Sequence, residues 1–145
     1  MNLVDPLKDS EVRNARTLCG WATATYGVPP PTQKDIQILN KKARDLFEAA
    51  PGTDWQTIVR VVKWCHQRKR RYGRIWSYVG QYRFAWADGA IELPIDETLA
   101  DEINRACEQE SDLVWRTRLR RAVGDYRRDV LNEWQRTRAS TTQSS

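Results

Sequence analysis

Residues 32–50 lie between two helix breakers, Pro29-Pro30-Pro31 upstream and Pro51-Gly52 downstream. Proline fixes φ and lacks the N–H that a helix interior needs, so neither run continues a helix. Between these breaks Ile36, Leu39, Ala43, Leu46, Phe47 and Ala50 recur every three or four residues, the spacing of a single helix face. Lys34, Gln37, Lys41, Lys42 and Arg44 fall off that stripe. Thr32, with Asp35 three residues on, has the form of a capping box in which Asp replaces Glu. This segment therefore reads as a solvent-facing amphipathic helix with both ends encoded locally.

The same signals recur along the chain. A first helix is expected over 6–26, with Pro6 in its first turn, Val12, Ala15, Cys19 and Ala22 or Tyr26 on one stripe, and Gly27 as its stop. Thr53 or Asp54 caps a third helix over 55–68. Its Ile58, Val59, Val61 and Val62 would suit a strand, but Trp55, Ile58, Val62 and Cys65 keep helical spacing and the cap agrees with them. Tyr72-Gly73 marks a turn, and a fourth helix is expected over 74–87, burying Ile75, Val79, Tyr82 and Trp86 and ending at Asp88-Gly89. Asp96 caps a fifth helix whose acidic first turns suit the positive end of its dipole. After a break at Ser111-Asp112, the apolar stripe Trp115, Leu119, Ala122, Val123, Tyr126, Val130 and Trp134 runs to about Arg138. The expected fold is all-α: a single compact bundle of five to six helices over 1–138, with a helix-turn-helix-like pair at about 54–88. The Ser/Thr/Gln tail 139–145 is expected to be disordered.

Seven Trp, five Tyr and two Phe within 145 residues supply enough bulk for a substantial core. No apolar run approaches the roughly 18 residues of a membrane span, and the first ten residues lack a signal-peptide core. A cytoplasmic location without a membrane partner is the expectation. Cys19, Cys65 and Cys107 form no CxxC pair and read as reduced, buried thiols.

Little in the chain suggests catalysis. His66 is the only histidine and adjoins Cys65, but adjacent helical residues point about 100° apart, so the two do not converge on one atom. It reads as a surface histidine in a basic stretch. Asp101 and Glu108 sit seven residues apart on the acidic segment without a Gly-rich ligand loop. The seven glycines form neither GxGxxG nor GxxxxGK[ST]. No enzyme activity, cofactor or metal is expected.

Charge is segregated along the chain. Residues 60–83 carry eight cations and no anion, residues 96–112 seven acids against Arg105, and residues 115–138 eight arginines against Asp125, Asp129 and Glu133. In the first basic stretch the cations alternate with Trp64, Tyr72, Trp76, Tyr78, Tyr82, Phe84 and Trp86. Cations release counterions from a phosphate backbone, and exposed rings stack on bases. The expected nucleic-acid surface is Lys63, Arg68, Lys69, Arg70, Arg71 and Arg74, followed by Ser77, Tyr78, Gln81 and Arg83 facing outward from the next helix. A second basic row comprises Arg116, Arg120, Arg121, Arg127 and Arg128, which either tracks phosphates or pairs with the acidic helix before it. DNA is the favoured partner. An acidic protein surface is the alternative, the chain then being a small helical interaction factor such as an inhibitor, antitoxin or exclusion protein. A homodimer through a free helix face fits either reading.

Over 54–86, DWQTIVRVVKWC, then YGRIWS, then Phe84 and Trp86 resemble a segment near the C-terminus of phage and prophage replication proteins of the replisome-organiser and helicase-loader type. Ile58, Val61, Val62 and Trp64 carry the first part of the likeness, and Tyr72, Ile75, Ser77, Arg83 and Phe84 the second. The resemblance implies a phage or prophage origin and a role in DNA replication or transcription control.

Overall fold

The computed structural model describes residues 8–143, which form six α-helices and two 3-10 helices, with no strand among the described residues. The expected all-α class holds. The chain divides into two compact units, Met1–Pro94 and Ile95–Ser145.

In the first unit, capping residues set the helix starts. The Asn14 side chain accepts from Thr17 N–H at 2.9 Å and the Thr17 hydroxyl accepts from Asn14 N–H at 3.0 Å, opening α1 (Ala15–Tyr26). Gly27 closes α1 at φ 70, a left-handed position that favours glycine. Thr32 and Asp35 form the reciprocal box read from the sequence, at 3.2 and 3.0 Å, and open α2 (Gln33–Ala49). Asp54 is the cap of α3 (Trp55–Gln67), with Thr57 answering it.

α3 is the central helix of this unit. Ile58, Val59, Val61, Val62, Trp64 and Cys65 are all buried, and α1, α4 (Tyr82–Ala87) and both 3-10 helices pack on it. A helix covered on most sides needs apolar residues on most sides, which explains its strand-like run of Ile and Val.

Two expected helices have different forms. The first helix begins at Ala15, because Asp9–Glu11 is a 3-10 turn followed by extended chain. The Gln56 side-chain amide donates to the Asp9 and Val12 carbonyls at 2.7 and 3.0 Å, and Trp21 Nε1 donates to the Asp9 carboxylate at 2.8 Å. The two Gln56 bonds engage the carbonyls of Asp9 and Val12 in place of α-helical winding. Pro6 lies outside the described residues. The expected fourth helix is a 3-10 helix, Ile75–Gln81, that passes into the six-residue α4. Three residues per turn align Ile75 with Tyr78, and both are buried. Trp76 Nε1 is held by Asp35 at 3.1 Å and the Tyr78 hydroxyl by His66 Nε2 at 2.9 Å, which anchors the tighter winding.

In the second unit, Asp96 accepts from Leu99 N–H at 2.8 Å and opens α5 (Glu97–Gln109). Asp112 marks the expected break, its carboxylate accepting from Val114 N–H at 2.9 Å. α6 (Leu113–Gln143) packs on α5, with Leu99, Ile103, Cys107, Trp115, Leu119 and Val123 buried. α6 continues to Gln143, past Arg138 where the apolar pattern ended, and Ser144 and Ser145 lie outside the described residues. At 1.5 Å per residue, 31 residues of α6 extend about 46 Å against about 20 Å for the 13 of α5. Beyond Val123 no α6 side chain is buried among the described residues, and Val130, Leu131 and Trp134 are exposed.

Candidate nucleic-acid interface

The cations of 60–83 come from α3, the turn after it and α4, but they do not form one free surface. Lys63 is ion-paired with Asp9. Arg68 reaches Asp88 at 2.5 Å, on the same carboxylate oxygen that accepts from Trp64 Nε1 at 2.8 Å. Arg74 reaches Asp35 at 3.0 Å. Arg70 turns inward, its guanidinium over the Trp64 and Phe84 rings at 5.7 and 5.1 Å and donating to Gln81 Oε1 at 2.9 Å. Arg83 lies over the Tyr82 ring at 4.8 Å and donates to the Gly80 carbonyl at 3.4 Å. Lys69 and Arg71 are exposed, and neither has an ion-pair partner among the described residues. Lys69 has φ 58, a left-handed conformation that turns the chain sharply away from α3.

Asp35 is the organising group of this surface. Its carboxylate takes the Thr32 N–H, the Trp76 indole and the Arg74 guanidinium. The Thr32 backbone bond leads in holding its pKa down to about 2, with Trp76, the Thr32 hydroxyl and Arg74 adding to it against partial burial. The Asp9 carboxyl is lowered chiefly by Lys63. Asp9, Asp35 and Asp88 were missed as charge partners by sequence reasoning. The only local signal was the capping role of Asp35, since helix caps and distant ion pairs use the same carboxylate.

The expected outward row from the second helix is corrected. Tyr78 is 1% exposed and belongs to the core, while Ser77, Gln81 and Arg83 are half-buried. No aromatic residue of 60–86 is fully exposed: Trp64, Tyr78, Tyr82 and Phe84 are buried, and Tyr72, Trp76 and Trp86 are half-buried. Winding as a 3-10 helix turns Tyr78 inward, where an α-helix had been expected to display it.

His66 is a half-buried ring rather than a surface one. It stacks on Tyr26 at 4.0 Å and 2°, and meets Tyr78 at 5.4 Å. Burial, with Arg71 adding to it, pushes its pKa below the ordinary histidine value. Burial pushes the neighbouring Cys65 thiol up to about 12, so it stays protonated at neutral pH.

In the second unit the basic row is divided. Arg127 reaches Asp101 at 2.5 Å and Glu97 at 3.5 Å, so α5 neutralises it, one of the two outcomes the sequence left open. Arg128 pairs with Asp125 at 3.3 Å, and Arg116 donates to the Glu110 carbonyl that ends α5. Arg120 and Arg121 are exposed without an ion pair among the described residues. Exposed pairs of this kind contribute only about 0–1 kcal/mol each.

By sequence the first unit has fifteen Lys and Arg against nine Asp and Glu, and the second has nine against ten. The positive charge of the chain therefore resides in residues 1–94. No helix of the described residues is long and apolar enough to cross a membrane. Among the described residues no group of His, Cys, Asp and Glu is placed to hold a metal ion. Set against protein-family models, curated proteins and solved structures, the chain matches none of them.

Proposed function

We propose that the chain is a non-enzymatic DNA-binding protein that meets the phosphate backbone at the turn following α3. The observation that carries this reading is the pair Lys69 and Arg71, exposed and without carboxylate partners among the described residues, in a unit with a six-charge cationic excess. Two flanking arginines extend the surface, because an ion pair to one carboxylate leaves most of a guanidinium's five donors unused. Arg68 and Arg74 are both about half exposed. The cluster also lies where the C-terminal dipole of α3 favours cations. The resemblance of 54–86 to phage replication proteins adds a setting: replication or transcription control in the cytoplasm of a phage's host.

A mobility-shift titration across salt concentrations tests this. DNA affinity is expected to fall steeply with salt, with a log–log slope of about −0.9 per phosphate contacted. Replacing Arg68, Lys69, Arg70 and Arg71 together with Ala is expected to flatten that slope. Failure of the wild type to bind DNA at low salt would remove the reading.

A second reading rests on a separate observation. Val130, Leu131 and Trp134 leave apolar surface uncovered on the far half of α6, which suits a small interaction factor docking on another protein. It is favoured if DNA binding is absent and replacing Trp134 with Ala abolishes a protein complex.

A further inference from the structure

An open pocket of about 290 Å³ adjoins the basic turn, within the first unit. Tyr26 from the end of α1, His66 from α3, Tyr72 and Arg71 from the turn, Tyr78 from the 3-10 helix, and Val28 line it. Three phenol rings and an imidazole therefore wall a space at the small end of ligand sites, which hold about 300–1,000 Å³. It accommodates one ring system and not an extended cofactor.

The wall is held by hydrogen bonds. The Tyr78 hydroxyl accepts the Tyr72 N–H at 3.2 Å and lies 2.9 Å from His66 Nε2. Burial disfavours the charged form of His66. The positive charge at the pocket comes from Arg71, whose exposed guanidinium has no ion-pair partner among the described residues. Gly27 and Gly73 also border the space, and a Cβ at either would meet nothing within 4 Å, so the rim is open.

A ring-walled pocket with a guanidinium at its edge suits a planar heteroaromatic guest that carries an anion: a nucleobase with its phosphate. A base inside a duplex is already stacked and paired, and reaches such a pocket only after leaving the helix. We infer that this pocket receives one unstacked base of a single strand while Arg71 holds the adjoining phosphate, so that the protein prefers single-stranded to duplex DNA. The inference rests on the DNA-binding reading above and adds strandedness to it.

The test is fluorescence anisotropy with the full chain, a labelled twelve-nucleotide oligo(dT) and a duplex of equal length, at low salt. The wild type is expected to bind the single strand at least tenfold more tightly. Tyr26→Leu and, separately, Tyr72→Leu are expected to weaken single-strand binding about tenfold and leave duplex binding unchanged. Arg71→Ala is expected to weaken both. Thermal melts identify any variant that fails to fold, and the two tyrosine variants act as checks on each other. Equal affinity for both DNAs, or folded tyrosine variants with wild-type single-strand affinity, would overturn the base pocket and leave the phosphate surface standing. Preference for an acidic, aromatic peptide over the oligonucleotide would overturn it in favour of a protein ligand. No binding to either DNA would remove the DNA-binding reading together with this one.

Discussion

The two units of this chain handle similar charges differently. In residues 95–145 positive and negative side chains nearly cancel, and Arg127 and Arg128 pair with carboxylates of the same hairpin. In residues 1–94 cations outnumber acids fifteen to nine, so pairing with Asp9, Asp35 and Asp88 leaves an excess. Apolar surface shows the reverse contrast. The first unit surrounds α3 with packed helices, whereas the second leaves the far half of α6 uncovered. An arginine-rich sequence thus makes an anion-receiving surface only where the local acids run short. An apolar stripe makes a core only where a second helix is long enough to cover it.

Four measurements press on this contrast. The largest effect is expected from Ile58→Ala, which empties a fully buried site in α3 and should cost about 2–5 kcal/mol in urea denaturation. A smaller cost would mean that the first unit is less tightly packed around α3 than its burial indicates.

Asp35→Asn comes next. It removes the carboxylate that serves the α2 cap, Trp76 and Arg74 together, and should lower Tm by several degrees. The folded carboxyl is depressed to about 2, so its contribution is fully present above the ordinary carboxylate value near 3.8 and is lost as pH falls through about 2. Acid denaturation of the variant should lack that component between pH 4 and 2. An identical acid limb in both proteins would show that Asp35 is not the hub of this surface.

The third test compares the units through binding. Lys69→Ala with Arg71→Ala should reduce the salt slope for DNA by about 2 and leave the melting temperature unchanged. Arg120→Ala with Arg121→Ala, in the near-neutral unit, should alter the slope less. Equal effects would spread the interface over both units and break the contrast.

Trp134→Ala should change least. Its ring is 54% exposed and lies beside Arg138 at 5.2 Å, so stability should stay within about 0.5 kcal/mol of wild type. A larger loss in a melt that also depends on protein concentration would reveal that a second copy covers this helix.

Most helix positions were legible in the sequence where the determinant lay within one turn, although the Asn14–Thr17 box that opens α1 is as local and did not stand out from the pattern. The Thr32–Asp35 box, the caps Asp54 and Asp96, the prolines at 29–31 and the break at Ser111-Asp112 each act on neighbouring backbone groups, and α2, α3, α5 and the start of α6 follow from them. Where the determinant lay elsewhere in the chain, the pattern misled. Gln56 holds the carbonyls of Asp9 and Val12 out of α1, and Asp35 and His66 anchor Trp76 and Tyr78 in a 3-10 helix.

The amino-acid order by itself determined that this protein is helical, where most of its helices begin and end, and that its positive charge lies toward the N-terminal side. Only the tertiary structure decided which cations remain available, because Arg74 meets a carboxylate 39 residues away and Arg68 one 20 residues away. Capping and helix winding act through neighbouring backbone atoms, so adjacent residues report them. Ion pairing depends on distance through space, which the folded chain alone establishes.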